Sequence, residues 1–211
     1  MAPKARNGKC SRGSWLLTGV ALALLGAQAA DTISVSYDGE SLRPVAPHVH
    51  FLAGKSLDRL KDGETVTFYS WLSLFAVNRG DPLRVATNRF VVSYDIWEEK
   101  FKVTIPGPAP RSKAGLTGPQ AESWCMENVA IGASGLAQDT PFFLRLELRG
   151  ERQKELSGPV ADTGAGIAIR PLIELFSRKA GPDDLHWGPF QSAPQRLSDL
   201  VRTPGRGAGS G

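Results

Sequence analysis

The run from Glu64 to Val77 constrains the fold more than any other part of the chain. Two sets of side chains, each rich in large apolar residues, alternate along it: Val66, Phe68, Leu72 and Leu74, and then Tyr69, Trp71, Phe75 and Val77. A period of two residues is that of a β-strand, and apolar residues on both faces predict a strand inside a sheet, covered on both sides. We therefore expect Phe68 and Trp71, on opposite faces, both to be largely buried.

Other short runs also favour β-structure. They alternate or are rich in β-forming residues, and they span residues 32–37, 41–51, 83–97, 100–105 and 142–148. Turn-forming residues such as Asp38-Gly39 separate them. Short strands divided by turn signals predict a mainly β protein, and we interpret the pattern as an antiparallel β-sandwich.

The sequence also predicts one or two short helices packed on this sandwich. Thr117 and Gln120 have the spacing of a capping box, with Pro119 in the first turn, so a helix should begin there and end near Ala130. Residues 55–61 and 171–179 have shorter helical patterns.

The amino-terminal residues have the three-part pattern of a secretory signal peptide. Lys4, Arg6, Lys9 and Arg12 are followed by an apolar run over 15–26 and by the small-residue pattern Ala27-Gln28-Ala29. We predict that residues 1–29 are a signal peptide cleaved after Ala29, with a retained anchor as the alternative. The mature chain should then have no membrane span, because the apolar run is shorter than the roughly 20 residues that a bilayer requires.

This pattern also predicts location and domain organisation. The protein should be exported, to the periplasm or the extracellular space. Residues 30–202 should form a single β-rich domain, and residues 203–211 should be a disordered tail because they lack large apolar side chains.

The charge and the cysteine content argue against nucleic-acid binding and against an internal disulfide. The chain has 25 Lys and Arg against 21 Asp and Glu, and four of the basic residues precede residue 30, so the mature chain has no formal net charge. This argues against nucleic-acid binding, which needs a basic surface. Only Cys125 remains after cleavage, so no internal disulfide forms, and its position among apolar helix residues favours a buried, inert thiol.

His48 and His50 are the weak candidates for a metal site. They share one face if the segment is extended, and imidazole pairs bind zinc. A third ligand would have to come from His186, Asp58 or Asp95. We expect none of these to lie nearby, and we predict no metal and no cofactor.

No catalytic residue is predicted. Asp162-Thr163-Gly164 resembles the active-site loop of aspartic proteases, but that chemistry needs two such aspartates sharing a proton. No second copy of the motif occurs in the chain, so an ordinary turn is the favoured interpretation.

The segment 94–101 is a dense aromatic hairpin. Tyr94, Trp97 and Phe101 are the candidate binding residues, since an exposed aromatic rim is typical of protein-binding surfaces. Ordinary cross-strand packing next to a charged turn is the alternative.

This hairpin lies in a longer run, 88–101, that resembles a family of bacterial exported proteins of unknown function. Three later segments share the resemblance: 120–125, 141–147 and 172–178. The resemblance implies a bacterial envelope setting, but its motifs are strands and helix faces, so it assigns no catalytic residue.

Together these features favour a non-enzymatic envelope protein that binds another protein or has a structural role. Two alternatives remain open. One is a metal-dependent hydrolase using His48 and His50, and the other is a carrier of a small apolar ligand held between sheet and helix.

Overall fold

The computed structural model of the protein describes residues 32–152, 169–178 and 184–200. The strands are β1 (Thr32–Tyr37), β2 (Ser41–Val45), β3 (Val66–Ala76), β4 (Arg84–Asp95), β5 (Lys100–Ile105), β6 (Arg111–Leu116), β7 (Ile131–Gly132), β8 (Phe142–Arg152) and β9 (Leu185–Ser192). The helices are α1 (Lys55–Lys61), α2 (Gly118–Glu127) and α3 (Ile169–Ser177). The predicted signal peptide, Asp162 and the predicted tail all lie outside the described residues.

The strands join into one mixed sheet with the order β6-β5-β4-β3-β8-β9-β1-β2-β7. Neighbouring strands are antiparallel except for β1 and β9, which run parallel. The mainly β prediction is thus confirmed, whereas the antiparallel sandwich is not. Alternation reveals which faces of a strand are apolar, but it does not determine which strand pairs with which.

Strand β3 lies between β4 and β8 and pairs with both along almost its full length. The prediction of an internal strand is confirmed. Phe68 is fully buried on the inner face. Trp71, on the outer face, is only half-buried. The ring of Phe176 in α3 packs on it, with 5.2 Å between the ring centroids.

Helices α1 and α2 cover the inner face of the sheet. Leu60 of α1 and Ala121 and Cys125 of α2 are fully buried there, with the apolar residues of β3, β4 and β8. Helix α1 has the predicted bounds, and α2 begins directly after Thr117, whose backbone N–H donates to Gln120 Oε1 at 2.9 Å. The capping signal therefore located the start of α2 correctly.

Helix α3 packs on the opposite, outer face of the sheet. It begins two residues before the predicted start and ends two before the predicted end, and its Leu172 is buried. Since helices lie on both faces, the middle of the sheet is covered on both sides. Within the ranges that the structure describes, no helix is long and apolar enough to cross a bilayer.

Candidate functional site

The β4–β5 hairpin ends in a tip held in one conformation by Asp95. The two strands pair as far as Asp95 and Lys100. Asp95 Oδ1 accepts hydrogen bonds from the backbone N–H groups of Trp97, at 2.8 Å, and Glu98, at 3.1 Å. An aspartate that binds the backbone two and three residues ahead stabilises a tight turn, so the tip is ordered before anything binds to it.

This ordered tip presents two apolar side chains to solvent. Trp97 is 90% exposed and Ile96 is 55% exposed. Tryptophan is usually well buried, because its side chain removes about 150–250 Å² of surface from water when it packs. An exposed tryptophan on a fixed turn is therefore the most unusual surface feature among the described residues.

The three candidate binding residues have different surroundings. Tyr94 and Phe101 face each other across the hairpin with ring centroids 4.9 Å apart. Phe101 is buried and Tyr94 is half-buried, so both contribute to the core, and only Trp97 points fully outward. The position of Trp97 inside the turn, with no residue opposite it, is a signal that distinguishes it from the other two.

A shallow groove of about 250 Å³ lies beside the tip. Its lining includes Tyr94, Glu98, Lys100, Phe101, Lys102 and Gly115. The charges around it are divided: Glu98 and Glu99 are exposed at the tip itself, whereas Lys102 is exposed further along β5. A ligand seated on Trp97 would therefore meet acidic groups first.

The two histidines lie in a loop, because β2 ends at Val45 and does not continue to Phe51. Val49 N–H bonds to Ala46 O at 3.1 Å, which closes a turn around Pro47. His48 packs edge-on against the ring of Phe190, with centroids 6.0 Å apart. His50 Nδ1 donates to Glu122 Oε2 at 3.0 Å.

The candidate third metal ligands have other positions and partners. His186 Nε2 lies 3.9 Å from Glu147 Oε2 on the outer face, and Asp95 is used in the hairpin turn. The described residues contain no group of three or more His, Cys, Asp or Glu side chains that could hold a metal ion. His48 and His50 are thus not brought together with any of the three candidates, Asp58 included.

Sequence reasoning missed Glu122, which is only 7% exposed and lies in α2. Its other oxygen, Oε1, accepts the backbone N–H of Leu52 at 2.7 Å. An acidic residue between Ala121 and Cys125 on the buried helix face was a signal that it needed a partner, because buried carboxylates are nearly always hydrogen-bonded. The pair with His50 leaves Nε2 of that ring facing away from Glu122, with 59% of the His50 side chain exposed.

Cys125 is fully buried in α2, as the sequence predicts. Burial raises the pKa of its thiol far above the ordinary value, and the nearby Glu122 carboxylate acts in the same direction. The thiolate is the nucleophilic form, so this cysteine is a poor nucleophile.

Comparisons of the chain with protein-family models, with curated proteins and with solved structures found no match. The assignment of a function therefore depends on the geometry and chemistry of the surfaces described above.

Proposed function

We propose that this protein is an exported, non-enzymatic module of the bacterial cell envelope that binds another protein through the Ile96–Trp97 tip. The observation that carries the proposal is the 90% exposure of Trp97 on a turn fixed by Asp95. Export is inferred from the signal-like residues 1–29, and the bacterial setting from the resemblance of the hairpin run.

A fixed, exposed tryptophan suits protein binding for energetic reasons. Residues that carry most of the binding energy in interfaces are often tryptophans that enter a pocket on the partner. Because Asp95 already orders the turn, little conformational entropy is lost when the tip docks. The favourable free energy of burying Trp97 and Ile96 is therefore not offset by the cost of ordering the loop.

The charges next to the tip favour a protein over a lipid surface. Glu98 and Glu99 are exposed directly after Trp97. Anionic lipids would repel both carboxylates when the tryptophan entered the headgroup region. A protein pocket with an apolar floor and a basic rim would instead complement the tip.

A photo-crosslinking amino acid at position 97 tests the proposal in the cell envelope. The matched control position is Val85, which is also apolar, is 41% exposed and lies on β4 outside the part of that strand that pairs with β5. We expect a discrete protein adduct from position 97 that is absent from position 85.

The partner recovered in this way is then purified and titrated with the protein. Trp97→Ala should weaken its affinity by about 30-fold or more, as expected for a central interface residue, whereas Val85→Ala should leave it unchanged. Equal effects of both variants, or binding of Trp97 to neutral lipid vesicles in place of any protein, would contradict the proposal.

The alternative of a small apolar-ligand carrier would use the cleft between sheet and helix α3, but the lining of this cleft includes Glu147 and Ser177, so it suits an apolar ligand less well than an enclosed apolar cavity would. The residues of the cleft lie on β3, β8 and α3, and none of them belongs to the hairpin tip.

A further inference from the structure

The two edges of the nine-stranded sheet differ in length. At one edge, β7 has only the two residues Ile131 and Gly132, whereas β6 at the other edge has six, Arg111–Leu116. Within the described chain, β6 has one strand neighbour, β5. Alternate residues of such an edge strand direct their backbone N–H and C=O groups away from the sheet, where another strand can bind them. Strand β6 therefore offers the longer edge for an added strand.

Within the described ranges, the edge of β6 is open to solvent. Residues 111–115 are all exposed, and a Cβ placed on Gly115 would meet no atom beyond its chain neighbours within 4 Å. From Arg111 to Lys113 the strand pairs residue by residue with β5, but the register then shifts, and Gly115 has a φ of +72°, in the left-handed region. The straight part of the edge thus begins at Arg111 and ends before Gly115.

Two cations lie on the same face of this edge. Lys113 is in register with Val103 of β5, which is buried on the inner face of the sheet, so the Lys113 side chain is on that side of the sheet. Arg111, two residues earlier, has the same orientation, because side chains alternate along a strand. Both residues are exposed, and neither forms an ion pair with another described residue. The edge therefore has two positive charges that no described carboxylate neutralises.

These charges determine which strands the edge accepts. Cations on an edge strand prevent unspecific pairing, because like charges on neighbouring strands destabilise the pair. The same cations favour a strand with acidic residues, since opposite charges directly across two strands stabilise the pair. Two acidic residues that are two positions apart would face Arg111 and Lys113 together. The residue between them would lie on the other face beside Ser112, whose Oγ is 2.8 Å from Thr104 Oγ1.

We propose that the edge of β6 binds an extended acidic segment of another protein, which adds a strand to the sheet and places acidic residues opposite Arg111 and Lys113. Backbone hydrogen bonds to β6 supply affinity in this mode of binding, and the side chains opposite the two cations supply specificity. The Leu116 end of β6 lies near the hairpin tip, because Leu116 pairs with Phe101 of β5. The binding chemistry of the edge does not involve Trp97, so it goes beyond the proposed function and is tested separately from it.

Three eight-residue peptides test the proposal by NMR titration of the unmodified protein. One alternates glutamate and threonine, the second has the same composition but places glutamates and threonines in adjacent pairs, and the third alternates lysine and threonine. In the paired peptide no two glutamates are two positions apart, so only one of the two cations at a time faces a carboxylate. We expect the alternating glutamate peptide to bind about threefold more tightly than the paired one, and the lysine peptide not to bind. Equal affinities of the two glutamate peptides, or no binding of either, would overturn the proposal.

Hydrogen exchange in the same complex shows whether the peptide adds a strand. Pairing should slow the exchange of the outward N–H groups at alternate residues of β6, because these groups become hydrogen-bonded. At a peptide concentration of about ten times the Kd, exchange at these residues should slow by about tenfold. Binding without slower exchange at β6 would mean that the cations attract any polyanion, and it would overturn the proposal of an added strand.

Charge reversal locates the bound peptide. Arg111→Glu combined with Lys113→Glu should abolish binding of the alternating glutamate peptide and permit binding of the lysine peptide, because the complementary charges are exchanged. The matched control is Lys61→Glu combined with Arg79→Glu, which changes the net charge equally at exposed positions of α1 and of the turn after β3. It should change the affinity by no more than about twofold, since salt screens distant charges. Trp97→Ala should not change it, which separates this proposal from the proposed function. Equal weakening by the edge variant and the matched control would place the peptide elsewhere and overturn the proposal.

Discussion

Glu122 accepts the backbone N–H of Leu52 at 2.7 Å and thereby ties the loop after β2 to helix α2. The same carboxylate binds His50, so one buried side chain holds two residues of that loop. Both bonds join parts of the chain that are far apart in sequence, 70 residues in the case of Leu52.

Replacing Glu122 should therefore destabilise the protein. Glu122→Leu leaves the Leu52 N–H buried without an acceptor, which should lower the free energy of unfolding by about 1–3 kcal/mol in urea denaturation. Glu122→Gln keeps an oxygen for Leu52 and should cost less. His50→Ala, at a mostly exposed side chain, should change stability least, and a larger loss in His50→Ala than in Glu122→Leu would show that the loop depends on the histidine.

Phe68 should be among the most sensitive core positions. It is fully buried and packs against Phe51 and Trp187, with ring centroids 5.0 and 5.8 Å away. Phe68→Ala should lower the free energy of unfolding by about 3–5 kcal/mol, because it leaves a cavity inside the sheet. Val85→Ala, at an exposed position of the neighbouring strand, should change it by no more than about 0.5 kcal/mol. A loss below about 1 kcal/mol in Phe68→Ala would mean that the inner face is solvated.

The raised pKa of the buried Tyr69 hydroxyl should make the stability of the protein depend on pH in the alkaline range. Burial raises the pKa of its hydroxyl to about 12, although the Arg89 guanidinium beside it acts in the opposite direction. A tyrosine in the unfolded chain ionises near pH 10, roughly as in model peptides. The folded protein thus keeps a proton that the unfolded chain loses, and the free energy of unfolding should fall as pH rises from about 10 to 12.

Urea denaturation across that interval measures this effect. Tyr69→Phe should show a shallower decline, because it cannot ionise at this position in either state. An equal decline in both proteins would assign the alkaline instability to other groups.

Export predicts the mature amino terminus. Sequencing of protein recovered from the periplasm or medium should begin at Ala30, the residue left by cleavage behind Ala29, or one residue later at Asp31. Ala29→Leu should block this cleavage, because the peptidase requires a small residue there, whereas Gln28→Ala should not. An intact Met1 in membrane pellets of the unmodified protein would instead support a retained anchor.

The elements that were predicted correctly are those specified by local sequence. Alternation identified β3, and the spacing of Thr117 and Gln120 located the start of α2. These signals extend over a few residues and depend on strand and helix periods alone. The hairpin at 94–101 was recognised for the same reason.

The features that were missed depend on which residues meet in space. The parallel pairing of β1 with β9, and the register that places Arg89 and Arg149 on either side of Tyr69, follow from strand order over long separations. Local patterns do not encode either one. Glu122 was recognisable as a buried acid, but its partner Leu52 was not, because a backbone N–H has no sequence signature.

Strand β1 lies between β2, which follows it directly, and β9, the last strand of the described chain. A polypeptide that crosses a membrane amino end first releases β1 and β2 early, yet one edge of β1 has no partner until β9 has also crossed. Strand pairing between distant parts of a chain is slow, and the pairing of β1 with β9 cannot form before β9 is available. For an exported chain, this order would delay completion of the sheet until translocation is almost finished. The sheet would then remain incomplete while the last part of the chain is still in the channel.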